Sequence, residues 1–63
     1  MRMTVEEVTD KMWYITPIIV ISGAKEILFN DVCYRLMYHN SIEEKVVKSI
    51  GVIEGKIIIT VNE

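Results

Sequence analysis

Val46-Val47-Lys48-Ser49-Ile50-Gly51-Val52-Ile53-Glu54-Gly55-Lys56-Ile57-Ile58-Ile59-Thr60-Val61 can be folded in two ways, and the choice between them sets the architecture of the whole chain. Ser41-Ile42-Glu43-Glu44 just before it has the pattern of a capping box. If that box opens a full helix, Ile42, Val46 and Ile50 line one face and Gly51 stops it. The other folding is a single helical turn followed by a strand from Lys45, a Glu54-Gly55 turn and a returning strand Lys56 to Val61. The sequence favours the strand. Val46-Val47 and Val52-Ile53 are β-branched pairs suited to a pleated surface, and the final strand needs a hairpin partner. Glu-Gly is not the preferred Asn-Gly pair, so the turn is expected to be longer than two residues. Gly55 is then at positive φ, as in a type I turn with a G1 bulge.

The same alternation appears earlier. Ile15-Thr16-Pro17-Ile18-Ile19-Val20-Ile21 reads as a strand, Ser22-Gly23-Ala24-Lys25 as a turn, and Glu26 to Cys33 as the returning strand. Pro17 lacks a ladder donor and belongs at the start of its strand or on an outward-facing edge. Ahead of these strands, Thr4-Val5-Glu6-Glu7 forms a capping box, with Val5, Val8 and Met12 on one helical face, and this helix is expected to end near Met12 or Trp13. Tyr34 to Asn40 is open between an extended second strand and a helical turn. The result is an α+β fold: a short N-terminal helix plus a four-stranded, mainly antiparallel sheet, in the order α-β-β-(short α)-β-β, forming a single domain over residues 1–63.

Both faces of these strands are apolar. Ile15, Ile19 and Ile21 alternate with Ile18 and Val20, and Ile57, Ile59 and Val61 alternate with Ile58 and Thr60. One short helix covers one face only, so the second face calls for another copy of the chain, through two-fold pairing, or for a sheet that curls upon itself. A homodimer is the expected solution. The arithmetic agrees: 51% hydrophobic residues and a mean hydropathy of +0.30 in 63 residues leave more apolar surface than so small a core hides.

Eleven isoleucines and eight valines exclude a disordered composition. Cys33 is the single cysteine, so no intrachain disulfide framework exists. No apolar run approaches the roughly 18 residues of a membrane-spanning helix, and Met1-Arg2-Met3-Thr4-Val5-Glu6-Glu7 places acids where a signal peptide has its apolar core. A cytoplasmic protein without a membrane partner is expected.

The residues that carry chemistry are few. His39 is the single histidine, and neither Cys33 nor Ser41 stands at a catalytic spacing from it. Cys33 reads as a small buried hydrophobe. One histidine and one cysteine do not make a zinc site, Glu6-Glu7 and Glu43-Glu44 serve helix starts, and Gly23, Gly51 and Gly55 form no phosphate loop. Neither an enzyme nor a cofactor is expected. Nine acids outnumber seven bases and the pI is about 5.3, which makes nucleic acid an unlikely ligand. The one cluster with recognition character is Tyr34, Arg35, Leu36, Met37, Tyr38 and His39. Tyr34 and Tyr38 share a face on either an α-helix or a strand, and tyrosine and arginine are common interface anchors.

Met3-Thr4-Val5-Glu6-Glu7-Val8, Pro17 to Ile21, Ile27 to Val32, Val46 to Ile50 and Glu54 to Val61 together resemble small uncharacterised proteins encoded on phages, plasmids and conjugative elements of Firmicutes. The resemblance is one of pattern, spans nearly the whole chain, and departs at Tyr34 to Asn40, where this chain is more aromatic. It implies a mobile-element accessory protein, a class that includes many small inhibitors of host or defence proteins. The expected function is therefore a protein-interaction module that occupies a surface of a host protein. A ligand- or nucleotide-sequestering dimer and a nucleic-acid-binding regulator are the alternatives.

Overall fold

The computed structural model describes residues 3–62; the reading of Met1 and Arg2 falls outside them. A helix α1 (Val5–Thr9) precedes strands β1 (Pro17–Ile21) and β2 (Ile27–Val32). A 3-10 helix η1 (Cys33–Tyr38), a short helix α2 (Asn40–Glu43) and strands β3 (Val47–Ile53) and β4 (Lys56–Val61) follow. The sheet order is β2-β1-β4-β3: each sequential pair is an antiparallel hairpin, and the two hairpins join through a parallel β1–β4 pairing in which Ile18 stands beside Ile57 and Val20 beside Ile59. The α+β class, the leading helix and the mainly antiparallel four-stranded sheet are those read from the sequence. Residues 47–53 are strand.

The core lies on one sheet face. Ile18, Val20, Phe29, Ile59 and Val61 point into it, and Val5 and Val8 of α1, Cys33 and Leu36 of η1 and Ile42 of α2 close over them. Removing this apolar surface from water is the main stabilising contribution. The start of α1 is tied to the start of β3: Val5 N–H donates to the Lys45 carbonyl at 2.9 Å and Val47 N–H to the Met3 carbonyl at 2.7 Å. The opposite face is uncovered. Ile19, Ile21 and Ile58 are half-buried there only by their neighbours, and the register sets Ile27 beside Ile21 at one margin of that face. Ile53, opposite Lys56, stands 63% exposed at the other.

Several local expectations change. The capping box at Thr4 forms, with Glu7 N–H donating to Thr4 Oγ1 at 3.3 Å and Thr4 N–H donating to Glu7 Oε1 at 3.1 Å. However, α1 ends at Thr9 and not near Met12, because the Thr9 hydroxyl turns back onto the Val5 carbonyl and the chain leaves through looser turns at Lys11 and Met12. Residues 13–16 are not strand. Thr16 N–H closes a turn on the Trp13 carbonyl, and the strand begins at Pro17, which has no donor to offer a ladder. The second capping box does not form. Helix α2 starts at Asn40 with His39 at its N-cap and no side-chain cap, so Ser41 already lies inside it. The β3–β4 turn has only two residues, Glu54 at φ 51° and Gly55 at φ 79°, both left-handed as in a type I′ turn, whose twist matches the flanking strands. Gly55 is at positive φ as expected. The longer turn with a left-handed residue instead belongs to the first hairpin: Lys25 N–H donates to the Ser22 carbonyl, Ser22 N–H to the Glu26 carbonyl, and Lys25 takes φ 68°.

Candidate interaction surface

The segment from Cys33 to Tyr38 advances three residues per turn, so side chains at i and i+3 stack in rows. This sorts the predicted cluster. Cys33 and Leu36 form the inward row, 6% and 1% exposed; Tyr34 and Met37 form a second row; Arg35 and Tyr38 form a third. Tyr34 and Tyr38 therefore do not share a face as an α-helix or strand requires. Leu36 is part of the core and supports the turn. Tyr38 is 77% exposed, and the exposed His39 ring meets the Phe29 ring edge-on at 5.3 Å.

Two backbone bonds bring another segment alongside. Cys33 N–H donates to the Thr16 carbonyl and Tyr34 N–H to the Tyr14 carbonyl, each at 2.8 Å. They hold the Trp13–Thr16 turn against η1. The rings then form a continuous row: Trp13 meets Tyr14 edge-on at 6.2 Å, Tyr14 meets Tyr34 edge-on at 6.2 Å, and the Arg35 guanidinium lies 5.8 Å from the Tyr34 ring centre. Asp31 holds Arg35 from its other side, with an Nε to Oδ2 distance of 3.5 Å. Trp13 and Tyr14 are 68% and 61% exposed, and Ile15 and Met37 extend the apolar surface. Large exposed aromatics held by backbone bonds are unusual on a surface that meets only water.

Next to this row lies an open groove of about 500 Å³ between α1, the Trp13–Thr16 turn, η1 and α2. Met12, Cys33 and Met37 line it with Tyr14 and Tyr34, and its other side is lined by Glu6, Glu7, Asp10 and Glu43, of which Glu7 has its carboxylate in the Thr4 capping box. Burial, followed by the neighbouring charge of Glu6, raises the Glu43 carboxyl above its ordinary range. Burial also pushes the Cys33 thiol up, partly offset by the Thr9 side chain, while the thiol itself donates to the Thr9 carbonyl at 3.5 Å. The thiol is thereby held neutral, as expected of a buried hydrophobe and not of an activated nucleophile. Among the described residues no three His, Cys, Asp or Glu side chains converge as metal ligands.

Of the six residues singled out from sequence, Tyr34 and Met37 line the groove, Arg35 braces Tyr34, and Leu36, Tyr38 and His39 lie elsewhere. Sequence reasoning missed Trp13, Tyr14 and the carboxylate side. A signal for the first two was present: three large apolar residues, Trp13-Tyr14-Ile15, run into Thr16-Pro17, and the residue before proline is turned away from helix. Glu6 and Asp10 stand at i and i+4, on one helical face, but their approach to Glu43 depends on how α1 and α2 meet. Compared with known protein families, curated proteins and solved structures, the chain matches none.

Proposed function

We propose that this chain is a small protein-interaction module that pairs with a second copy through its open sheet face and engages a target protein with its helical side. The observation that carries the reading is the aromatic row Trp13-Tyr14-Tyr34 beside Met37, exposed on two segments that the Tyr34-to-Tyr14 and Cys33-to-Thr16 backbone bonds tie together, with ring set against ring. Prepositioned aromatic rings lose little conformational freedom on binding, which makes them efficient anchors. Covering a functional surface of its target makes such a module an inhibitor, the role that the resemblance to mobile-element accessory proteins of Firmicutes implies for a host or defence protein.

The test is affinity capture from a bacterial lysate with the wild-type chain and with Tyr14→Ala/Tyr34→Ala. The expected result is a partner retained by the wild type and lost by the double variant, whose circular dichroism and melting stay close to wild type. A folded variant that retains every captured protein overturns the assignment of the surface. A second reading, sequestration of a small molecule, is favoured by the groove, because about 500 Å³ is a volume suited to a small ligand. A metabolite thermal-shift screen separates the two, since a tight ligand raises the melting temperature by mass action.

A further inference from the structure

The groove has sides of opposite character. Glu6 of α1, Asp10 just past it and Glu43 of α2 line it on one side, whereas Tyr14, Tyr34, Met12 and Met37 line it on the other, and no lysine or arginine contributes to its lining among the described residues. Asp10 follows Glu6 by one helical turn, and Glu43 comes from the other helix. Among the described residues no three His, Cys, Asp or Glu side chains are spaced to hold a metal ion. A point charge is a poor match for that spacing; a chain of organic cations with apolar stems suits it. Tyrosine faces attract such cations, and the Tyr34 ring already has the Arg35 guanidinium near it. Lysine and arginine stems bury against methionine and tyrosine while their charged ends reach the carboxylates. Glu43, half-buried beside Glu6, is the position where an incoming positive charge relieves like-charge repulsion.

We propose that this groove receives an extended, arginine- or lysine-bearing segment of a partner protein, with Glu6, Asp10 and Glu43 pairing its cations and Tyr14 and Met37 packing its stems. The assignment rests on the interaction-module reading and specifies the chemistry of its partner.

The chain's single tryptophan provides the readout, because Trp13 touches the Tyr14 wall edge-on. Acetylated tetra-arginine amide and tetra-lysine amide are titrated into the intact chain while following Trp13 emission and the methyl resonances of Met12 and Met37. Tetra-glutamine amide serves as the uncharged control. The expected result is saturable binding of both cationic peptides, with the two methyl groups shifted and no response to tetra-glutamine. Glu6→Gln/Glu43→Gln, which keeps the shape of the groove, is expected to weaken binding about tenfold at low salt. Glu26→Gln/Glu54→Gln removes the same net charge from the two exposed hairpin turns, at positions outside the groove lining, and is expected to leave binding within about twofold.

Absence of saturable binding overturns the proposal. So does equal weakening by the two double variants, which reduces the effect to net charge alone. The lysate capture keeps the two readings apart. A partner held equally by wild type and Glu6→Gln/Glu43→Gln removes the groove from recognition and leaves the module standing, whereas loss of that partner from Glu6→Gln/Glu43→Gln but not from Glu26→Gln/Glu54→Gln supports both.

Discussion

Leu36 and Tyr38 lie two residues apart and have opposite fates, because a three-residue turn sends one inward and leaves the other 77% exposed. Leu36→Ala is expected to cost about 2–5 kcal/mol, the range for emptying a packed leucine site, whereas Tyr38→Ala should remain within about 0.5 kcal/mol of wild type. Urea denaturation of both variants checks the contrast. Two non-glycine residues, Lys25 and Glu54, hold left-handed backbone at φ 68° and 51°. Such positions strain residues with a Cβ and favour glycine or asparagine. Lys25→Gly and Glu54→Asn are each expected to stabilise by about 0.5–1 kcal/mol, visible as a rise of a few degrees in melting temperature. Cys33 gives a pH dependence. Its folded thiol titrates above the ordinary value of 9.0, so its contribution is complete below that pH and is lost as pH rises through the higher folded value. The stability difference between wild type and Cys33→Ala should therefore be constant at neutral pH and shrink in alkali, which parallel melts from pH 7 to strongly alkaline buffer would register.

At the scale of elements, α1 contains only five residues, too few to persist alone, so its capping box and the bonds from Val5 to Lys45 and from Val47 to Met3 keep it in place. Thr4→Ala removes the Oγ1 acceptor and is expected to cost about 1 kcal/mol in thermal or chemical denaturation. Alternation and turn residues make the strands legible: β-branched pairs at Val46-Val47 and Val52-Ile53 outweigh the helical reading, whereas the apolar run carries the first strand back to Ile15 and leaves Pro17 either at its start or on an edge, so its true beginning at Pro17 is only half-marked. The 3-10 segment was not legible in the same way. Its period matches neither the α-helix nor the strand, so Tyr34 and Tyr38 were placed on one face. The candidate surface was half-legible for a related reason. Tyr34 and Met37 are local to η1, but Tyr14 joins them through backbone bonds spanning twenty residues, and Glu43 joins Glu6 only because α1 and α2 pack on the same sheet face. Contacts between distant segments leave no periodic trace in a chain.

Across the whole molecule, apolar surface is distributed on two sides: the aromatic row beside the groove and the bare sheet face around Ile19, Ile21 and Ile58. The outward positions of the strands carry no carboxylate, and Lys56 stands at the margin, so two such faces would meet without repulsion at their centres. We expect mass from light scattering to rise with concentration toward twice that of one chain. Ile19→Lys/Ile58→Lys should hold it at the monomer value while the far-ultraviolet spectrum stays native. A wild-type mass that stays at one chain over the whole series would overturn the pairing. The place of β4 in the sheet has a further consequence, one of timing. Although made after the other three strands, β4 is an interior strand, with β1 on one side and β3 on the other. During synthesis β1 can pair only with β2, and its other edge stays open until residues 56–61 emerge from the ribosome. The fold is therefore completed by a late, long-range closure, and a nascent chain stalled before Ile59 exposes an isoleucine-rich edge that the finished protein never shows.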